Sequence, residues 1–559
     1  MNEAENLIAS KNHLWGELVA DFFYQNKIHH VFFSPGSRST PLILALERKK
    51  GIECVPILDE RTAAFVALGK SKFLGKPTAL LCTSGSAPTH WFPAVTEAHY
   101  SSIPLLLLTA DRPPELQNCG AGQTIDQVNL FEKFVRGFHQ APLPDSKANS
   151  IKKLETILQT AYLESLGQNP GPVQINFPFR EPFFSPDKSP CFSKTDAKPM
   201  EVPHTDYKDS IRDVSTLTKG HKKVLIIAGE FAPAGPLLSL LNKSPVPTLC
   251  DALSPLRHIS FKTSILRYEQ LIRNQSLRIK LQPELIITLG PLPTSKNLRS
   301  WIEQTKAERI IIEPRGVKVD PLVTPSHCFQ LDYHSIEKLE LAEQNASWVQ
   351  AWLEEEEHIE KKLQEQFKNE STLHEAKLVR TLSDILPHDA VLHVANSMPI
   401  RDLEWFWRKT STNRQLFGNR GVNGIDGTLG TALGLGHESG KPTFLLTGEL
   451  AFLHDSNALL FSDHFKGSLT VVLINNHGGG IFHHLPISQQ PEFDKCFLTP
   501  QSCDFSKLCE AHGLEHHLIQ TWQDFEKQIQ VSFPQGIRIL EFPVDREHSV
   551  SKRNYFLNI

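Results

Sequence analysis

The chain lacks an excess of basic residues, a cysteine-pairing motif and any apolar run long enough to cross a membrane. Its 559 residues include 58 Lys and Arg against 62 Asp and Glu, which gives a net charge of −4. A nucleic-acid surface normally shows as a basic excess, so no nucleic-acid partner is expected. None of the nine cysteines has CxxC spacing, and an odd number argues against a disulfide framework. A reducing compartment fits this composition best.

Targeting and membrane signals are also missing. The strongest apolar run, Ile103–Leu108, is far shorter than the ~20 residues of a transmembrane helix. The first residues, Met1-Asn2-Glu3-Ala4-Glu5, lack the basic and apolar regions of a signal peptide. We therefore expect a soluble cytoplasmic protein with no membrane partner.

Short apolar runs alternate with amphipathic segments along the chain, which is typical of α/β domains. Expected strands fall into three sets. They are His30–Phe33, Cys54–Leu58, Thr78–Cys82, Leu105–Thr109 and Val173–Asn176; then residues 223–229, Glu284–Leu289 and Arg309–Glu313; then Ala390–Val394, Thr443–Leu446, Thr470–Ile474 and Ile537–Phe542. A Pro-, Ser- and Lys-rich stretch from about Glu181 to Lys219 favours a linker. We predict three doubly wound α/β domains: residues 1–185, residues 186–370 including the linker, and residues 371–559.

Two polar side chains follow neighbouring expected strands of the third domain. Glu449 comes after Thr443–Leu446 and Asn476 after Leu469–Ile474, with room between them for a crossover helix from about Leu453 to Leu460. Ligands collect at the carboxyl ends of parallel strands. A carboxylate, a carboxamide and the backbone carbonyl of Gly478 would hold Mg²⁺ by oxygen, with a diphosphate completing its coordination. Alternatively, both side chains only satisfy backbone groups after the strands.

Glu60 lies where an expected strand ends and a helix begins. An isolated Glu there usually complements the helix dipole. The functional alternative is a carboxyl group that contacts a ring nitrogen of an aminopyrimidine and so promotes proton removal by the exocyclic nitrogen. Burial in an apolar pocket would give the raised pKa that this role needs.

Two loops of the first domain carry an arginine directly after an expected strand. Ser34–Thr40 combines hydroxyls, a helix start and Arg38, and Ala110–Pro114 contains Arg112 ahead of residues 120–124, where Gln123 lies. Such groups together form an anion site. Each arginine taken alone is more often a surface residue.

In the third domain, Asn396–Arg401 and the glycine-rich residues 418–427 complete the set of polar loops. A loop this rich in glycine permits close approach of its backbone to a ligand. The alternative is a flexible turn, which the presence of Arg420 and Ile425 makes less attractive.

Together these segments resemble the MenD family, the 2-succinyl-5-enolpyruvyl-6-hydroxy-3-cyclohexene-1-carboxylate synthases among the thiamine diphosphate-dependent enzymes. The resemblance covers nearly the whole chain and is weakest in the middle domain. It depends on the motifs SPGSRSTPL, DERTAAF, TSGSA, ADRPPEL, GQTIDQ, NRGVNGIDG, LHDSNALL and NNHGGGIF. Two positions depart from the family pattern: Glu449 replaces an aspartate, and His477 replaces a common asparagine.

The resemblance implies a role for each matching residue. Glu60 would be the catalytic, cofactor-activating acid, and Glu449, Asn476 and the Gly478 carbonyl would bind Mg²⁺ or Mn²⁺. Ile425 would hold the thiamine diphosphate bent, with further cofactor contacts from Ser397, Gly424, Gly448, Leu450 and Gly478. Residues that face the substrates would be Arg38, Arg112, Gln123, Lys296, Ser397, Arg401 and Arg420, with an apolar wall of Ile481, Phe482 and Leu485.

The implied reaction is decarboxylation of 2-oxoglutarate and conjugate addition of the remaining unit to isochorismate in menaquinone biosynthesis. Both substrates are dicarboxylates, which suits a site with several fixed cations. The resemblance also implies a homodimer or homotetramer whose active sites are shared between subunits. Two rivals remain: another thiamine diphosphate-dependent 2-oxo acid carboligase or decarboxylase, and a non-catalytic homologue impaired at Glu449.

Overall fold

The computed structural model describes residues 2–184, 200 and 207–559. They contain three six-stranded parallel sheets, and each sheet carries helices on its crossover connections. The predicted fold class, three doubly wound α/β layers, is therefore confirmed. Most of the expected linker, and the expected domain boundary at 185–186, lie outside the described residues. The C-terminal part of the expected linker, residues 207–219, contains a helix, Ile211–Thr218, which is capped by Ser210.

The first sheet has the strand order β2-β1-β3-β4-β6-β5. Its strands are β1 (His30–Phe33), β2 (Glu53–Pro56), β3 (Thr78–Cys82), β4 (Leu105–Asp111), β5 (Gly137–Gln140) and β6 (Pro172–Pro178). Its helices are α1 (Glu3–Gln25), α2 (Thr40–Arg48), α3 (Glu60–Leu74), α4 (Phe92–Ser101) and α5 (Ala148–Ser165). Strands β3, β4 and β6 are buried throughout, which explains why most of their residues are apolar.

The second sheet has the order β12-β11-β10-β7-β8-β9. Its strands are β7 (Val224–Ala228), β8 (Thr248–Cys250), β9 (Ser264–Ile265), β10 (Leu285–Leu289), β11 (Glu308–Ile312) and β12 (His327–Phe329). The helices of this region are α6 (Ile211–Thr218), α7 (Ala234–Lys243), α8 (Tyr268–Arg273), α9 (Gln275–Lys280), α10 (Lys296–Gln304) and α11 (Ala346–Lys368).

The third sheet has the order β14-β13-β15-β16-β18-β17. Its strands are β13 (Val391–Val394), β14 (Gln415–Phe417), β15 (Pro442–Gly448), β16 (Ser468–Asn475), β17 (Glu515–Leu518) and β18 (Gly536–Pro543). The helices are α12 (Glu375–Ile385), α13 (Met398–Phe406), α14 (Thr428–Gly436), α15 (Glu449–His454), α16 (Phe505–Ala511), α17 (Trp522–Gln530) and α18 (Arg546–Leu557). The bounds of the predicted helix at Leu453–Leu460 are wrong, because α15 begins at Glu449 itself and ends at His454, and a separate 3₁₀ helix covers Ser456–His464.

The chain forms two compact units that cut across the three sequence regions. The first unit contains the described residues up to 200 with Asn419–Gly440 and Ala451–Leu469. The second contains residues 207–418, Lys441–Leu450 and Thr470–Ile559. Helices α3 and α14 are therefore in one unit, although they are far apart in sequence. Among the described residues, no helix is both long and apolar enough to cross a membrane.

Candidate active site

Glu60 is the first residue of α3, as the sequence predicts. The helix is capped by Asp59, whose carboxylate accepts hydrogen bonds from the backbone N–H groups of Arg61 (2.8 Å) and Thr62 (3.2 Å). The Glu60 side chain is half-buried rather than enclosed, and it has no hydrogen bond or ion pair to any residue that the structure describes. Its charge adds to the effect of burial in raising the pKa of the Cys82 thiol at the end of β3. The cap belongs to Asp59, so the Glu60 carboxyl remains available to a ligand.

Ser84, in the loop after β3, brings two of the predicted substrate residues together. Arg112 donates from Nη1 to the Ser84 hydroxyl, and Gln123 donates from Nε2 to the Ser84 carbonyl (3.0 Å). Asp111 fixes the start of the Arg112 loop, because its carboxylate accepts the Arg112 backbone N–H at 2.7 Å. Arg112 is half-buried and Gln123 is exposed. A guanidinium and a carboxamide held on one serine form a site suited to a carboxylate.

Arg38 is more deeply buried than Arg112. Its guanidinium donates to the Phe179 carbonyl (2.8 Å) and to Glu181 (3.1 Å), and it lies 4.5 Å from the centre of the Phe183 ring. Burial, and then the nearby charge of Arg112, lower the pKa of Arg38. The two arginines therefore lie close enough to interact, and Arg38 contributes a fixed charge beside the more exposed Arg112.

The glycine-rich loop of residues 418–427 is held in place by a buried acid on α4. Glu97 accepts the backbone N–H groups of Gly421 (2.9 Å) and Val422 (2.8 Å). Gly427 has φ +65°, and a Cβ there would lie 2.0 Å from the Phe65 ring, so only glycine fits. Ile425 is 37% exposed in this anchored loop. The alternative of a flexible turn is therefore not favoured.

The remaining predicted residues of this loop are Arg420, which is half-buried, and Gly424. The first compact unit thus contains one group of predicted residues: Arg38, Glu60, Arg112, Gln123, Arg420, Gly424 and Ile425. Ser84 and Glu97 are supporting residues that the sequence reasoning missed. The TSGSA motif drew attention to Ser84 without giving it a role, whereas nothing in the helical pattern around Glu97 marks it.

In the second unit, β15 ends at Gly448 and the next residue is Glu449. Its carboxylate is 2% exposed, and Oε1 accepts the backbone N–H of Gly478. Burial raises the pKa of Glu449, although the backbone N–H groups of Gly478 and Asn476 lower it in part. The carboxylate therefore lies against the loop that follows β16, as the predicted metal site requires. Gly448 and Leu450 flank it and are half-buried.

Asn476 has the free oxygen that a metal ligand needs. Its Oδ1 is buried and has no hydrogen-bond partner among the described residues, whereas its Nδ2 donates to Glu375 at 3.3 Å. Leaving such an oxygen unpaired costs about 1–3 kcal/mol, which a cation would offset. A carboxylate, an unpaired amide oxygen and nearby carbonyls are hard oxygen donors of the kind that Mg²⁺ and Mn²⁺ bind. The residues present therefore fit a divalent cation.

The loop after Asn476 is shaped by backbone contacts. The Gly478 carbonyl accepts the Gly480 N–H (2.8 Å), which leaves its second lone pair for a metal. Arg546 donates to the carbonyls of Asn476 (3.2 Å) and His477 (2.9 Å). His477 itself is exposed with φ +57°.

Other predicted residues of the second unit surround this loop or lie on helix starts. Ser397 precedes α13 with the strained value φ +73°, and its carbonyl accepts a hydrogen bond from Arg401 Nη1. The apolar residues Ile481 and Phe482 are half-buried in a 3₁₀ helix over Gly480–His484, and Leu485 is 38% exposed. Lys296 is the exposed first residue of α10. No contact joins Lys296 to Ser397 or Arg401 among the described contacts.

Comparisons with known proteins agree with this chemistry. Three family models of enzymes that use thiamine pyrophosphate (TPP, another name for thiamine diphosphate) match successive parts of the chain. They are the N-terminal TPP binding domain over residues 15–130, the middle domain over 195–394, and the C-terminal TPP binding domain over 403–541. The chain is therefore a thiamine diphosphate-dependent enzyme.

Individual relatives show to which family of thiamine diphosphate-dependent enzymes the chain belongs. Proteins named 2-succinyl-5-enolpyruvyl-6-hydroxy-3-cyclohexene-1-carboxylate synthase from Microcystis aeruginosa and Trichodesmium erythraeum are each 38% identical to it, with 96% of this chain and 96% of the relative covered. The relative of the same name from Thermosynechococcus vestitus is 38% identical with 99% of both chains covered. The chain belongs to this synthase family, and the resemblance found in its motifs is confirmed.

Proposed function

We propose that this chain carries out the reaction for which its relatives are named, in menaquinone biosynthesis. It would use thiamine diphosphate to decarboxylate 2-oxoglutarate and join the remaining four-carbon unit to isochorismate by conjugate addition. One observation carries this proposal: the similarity to the synthases extends over at least 96% of the chain and at least 96% of each of these relatives.

The cofactor and its metal would be held by the candidate residues described above. When bound, thiamine diphosphate supplies the electron sink that lets a 2-oxo acid lose carbon dioxide and lets its keto carbon act as a nucleophile. Glu449, the Asn476 amide oxygen and the Gly478 carbonyl would hold Mg²⁺ or Mn²⁺. The Glu60 carboxyl would hold a proton at a ring nitrogen of the aminopyrimidine. The exposed Ile425 side chain offers an apolar support for the cofactor.

The substrates would be held by fixed cations. The Arg112 guanidinium and the Gln123 carboxamide would bind one carboxylate, because Ser84 already holds them together. Arg38, Arg401, Arg420 and Lys296 would supply further positive charge for the remaining carboxylates. Ile481, Phe482 and Leu485 would exclude water from the reacting atoms. A bidentate arginine is the group that best matches a carboxylate.

The nearer rival, an enzyme for a monocarboxylic 2-oxo acid, makes a different prediction. With 2-oxoglutarate we expect kcat/KM roughly 100-fold above that with pyruvate, because a lost charged hydrogen bond costs about 1.5–3 kcal/mol. Release of carbon dioxide from each acid would be measured with isochorismate present. Arg112→Met should reduce the preference, whereas Arg180→Met, which removes only an exposed pair with Glu115, should not. A preference for pyruvate would exclude the synthase assignment.

Assembly and location are proposed from the resemblance. We propose a homodimer, or a homotetramer made from two dimers, in which subunits share active sites. The partners would otherwise be small molecules. We also propose a cytoplasmic, reducing location, which agrees with the free state of all cysteines within the described residues; Cys191 lies outside them.

A further inference from the structure

The amide of Asn476 contacts a buried carboxylate that none of the motifs contains. Glu375 is the first residue of α12, is 3% exposed, and accepts the Asn476 Nδ2 hydrogen bond through Oε1 at 3.3 Å. The two residues are 101 positions apart in sequence. The contact therefore exists only because the fold brings the start of α12 to the end of β16.

This contact fixes which end of the amide faces the candidate metal site. Glu375 Oε1 accepts a hydrogen bond from the amide nitrogen, which stabilises the amide with the nitrogen towards Glu375. The oxygen then faces the other way, where it is buried without a partner among the described residues. A rotation of the amide by half a turn would place its oxygen against the Glu375 oxygen and remove the hydrogen bond.

We propose that Glu375 is a positioning residue that orients the Asn476 amide oxygen towards the divalent cation. The inference rests on the proposed function, in which Asn476 binds the metal of thiamine diphosphate. Partners of this kind behind metal ligands set the ligand's orientation, and their loss typically weakens metal binding 10- to 100-fold.

Glu375 is itself held by a buried arginine. Arg553 of α18 lies 3.6 Å from Glu375 Oε2 and makes two hydrogen bonds to Asp402 of α13, at 2.6 and 2.8 Å. Asp402 and Arg553 are almost completely buried, with side-chain exposures of 0% and 2%. Helix α13 therefore fixes the arginine of α18 that lies beside the Glu375 carboxylate, which leaves the carboxylate little freedom to follow a rotated amide.

Arg553 also reaches the turn that carries the apolar wall. Its Nη1 is 3.2 Å from His484 Nε2, at the end of the 3₁₀ helix that contains Ile481 and Phe482. The same guanidinium thus contacts the residue behind the metal ligand and the turn beside the predicted substrates. Through Arg553, Glu375 is therefore connected to the residues that form the candidate site, and its role is not limited to stabilising α12.

The test is the affinity of the full-length protein for Mn²⁺ with thiamine diphosphate present, read from the electron paramagnetic resonance signal of free Mn²⁺. Glu375→Leu removes the acceptor and should weaken Mn²⁺ binding about 10- to 100-fold. Glu375→Gln keeps an acceptor oxygen and should stay within about threefold of the native protein. Glu404→Leu is the matched control, because Glu404 is a buried carboxylate bonded to the Tyr268 hydroxyl. It should lower the melting temperature and leave Mn²⁺ affinity unchanged.

A second pair of variants keeps the test decisive even where Glu375→Leu does not fold. Asn476→Asp sets two carboxylates against each other, and adding Glu375→Gln restores a donor and an acceptor. The double variant should bind Mn²⁺ about tenfold more tightly than Asn476→Asp alone. Equal affinities for these two, or native affinity in folded Glu375→Leu, would overturn the proposal. Failure of the native protein to bind Mn²⁺ with the cofactor would instead overturn the metal assignment itself.

Discussion

Replacing Glu60 by glutamine should reduce turnover by roughly 10²- to 10⁴-fold, the usual contribution of a positioned acid or base. Glutamine has nearly the same shape but does not exchange a proton with the aminopyrimidine. The fold should be unaffected, since Asp59 caps α3 and the Glu60 carboxylate bonds to none of the described residues. Loss of isochorismate absorbance gives the rate, and thermal unfolding monitors the fold.

Asp59→Asn is the matched control for this experiment. It removes one negative charge from the same helix start, but asparagine caps helices about as well as aspartate does. Activity should therefore remain close to native. Full activity in Glu60→Gln would remove the residue from the mechanism. Equal losses in both variants would show that charge at the helix start matters, rather than the proton on Glu60.

Replacing Glu449 by glutamine should weaken Mg²⁺-dependent binding of thiamine diphosphate by roughly 100-fold, about 2.7 kcal/mol. Glutamine retains an oxygen for the Gly478 N–H but removes the negative charge, and ligand charge is a main determinant of affinity for hard cations. Calorimetric titration of the cofactor, with and without Mg²⁺, measures this effect without relying on activity.

Glu449→Asp separates the length of the side chain from its charge. The family pattern has aspartate here, so this variant should bind Mg²⁺ and cofactor at least as well as the native chain does. Native binding in Glu449→Gln would exclude Glu449 as a metal ligand. Binding by the aspartate variant alone would favour the remaining rival, a homologue that lost its activity at this residue.

Strands in the interior of the three sheets could be predicted from the sequence, whereas most edge strands could not. Strands such as β3, β4 and β10 are buried along their whole length and consist mainly of apolar residues. The strands that escaped prediction are β5, β8, β9, β12, β14 and β17. All but β8 are edge strands with short or partly exposed sequences, such as Glu515–Leu518, so no apolar run marks them. Strand β8 is buried but has only three residues.

The residues of the candidate site also fall into two groups, those that the sequence predicts and those that only the folded structure shows. Glu60, Glu449 and Asn476 could be proposed from the sequence because each lies at or shortly after the end of an apolar run. In the structure Glu449 and Asn476 directly follow β15 and β16, and Glu60 begins α3 after the short loop that follows β2. The residues that support them could not be found, because their contacts join distant segments. Glu375 contacts Asn476, and Glu97 contacts Gly421 324 positions away. No local pattern encodes such pairs, so only the folded chain shows them.

The measurement that tests the central claim most directly is a turnover assay on the purified native chain. Thiamine diphosphate, Mg²⁺ or Mn²⁺, 2-oxoglutarate and isochorismate would be supplied together, and each would be omitted in turn. We expect isochorismate to be consumed, with one carbon dioxide released per molecule, only in the complete mixture. A folded protein that binds cofactor and metal yet leaves isochorismate unchanged would contradict the assignment.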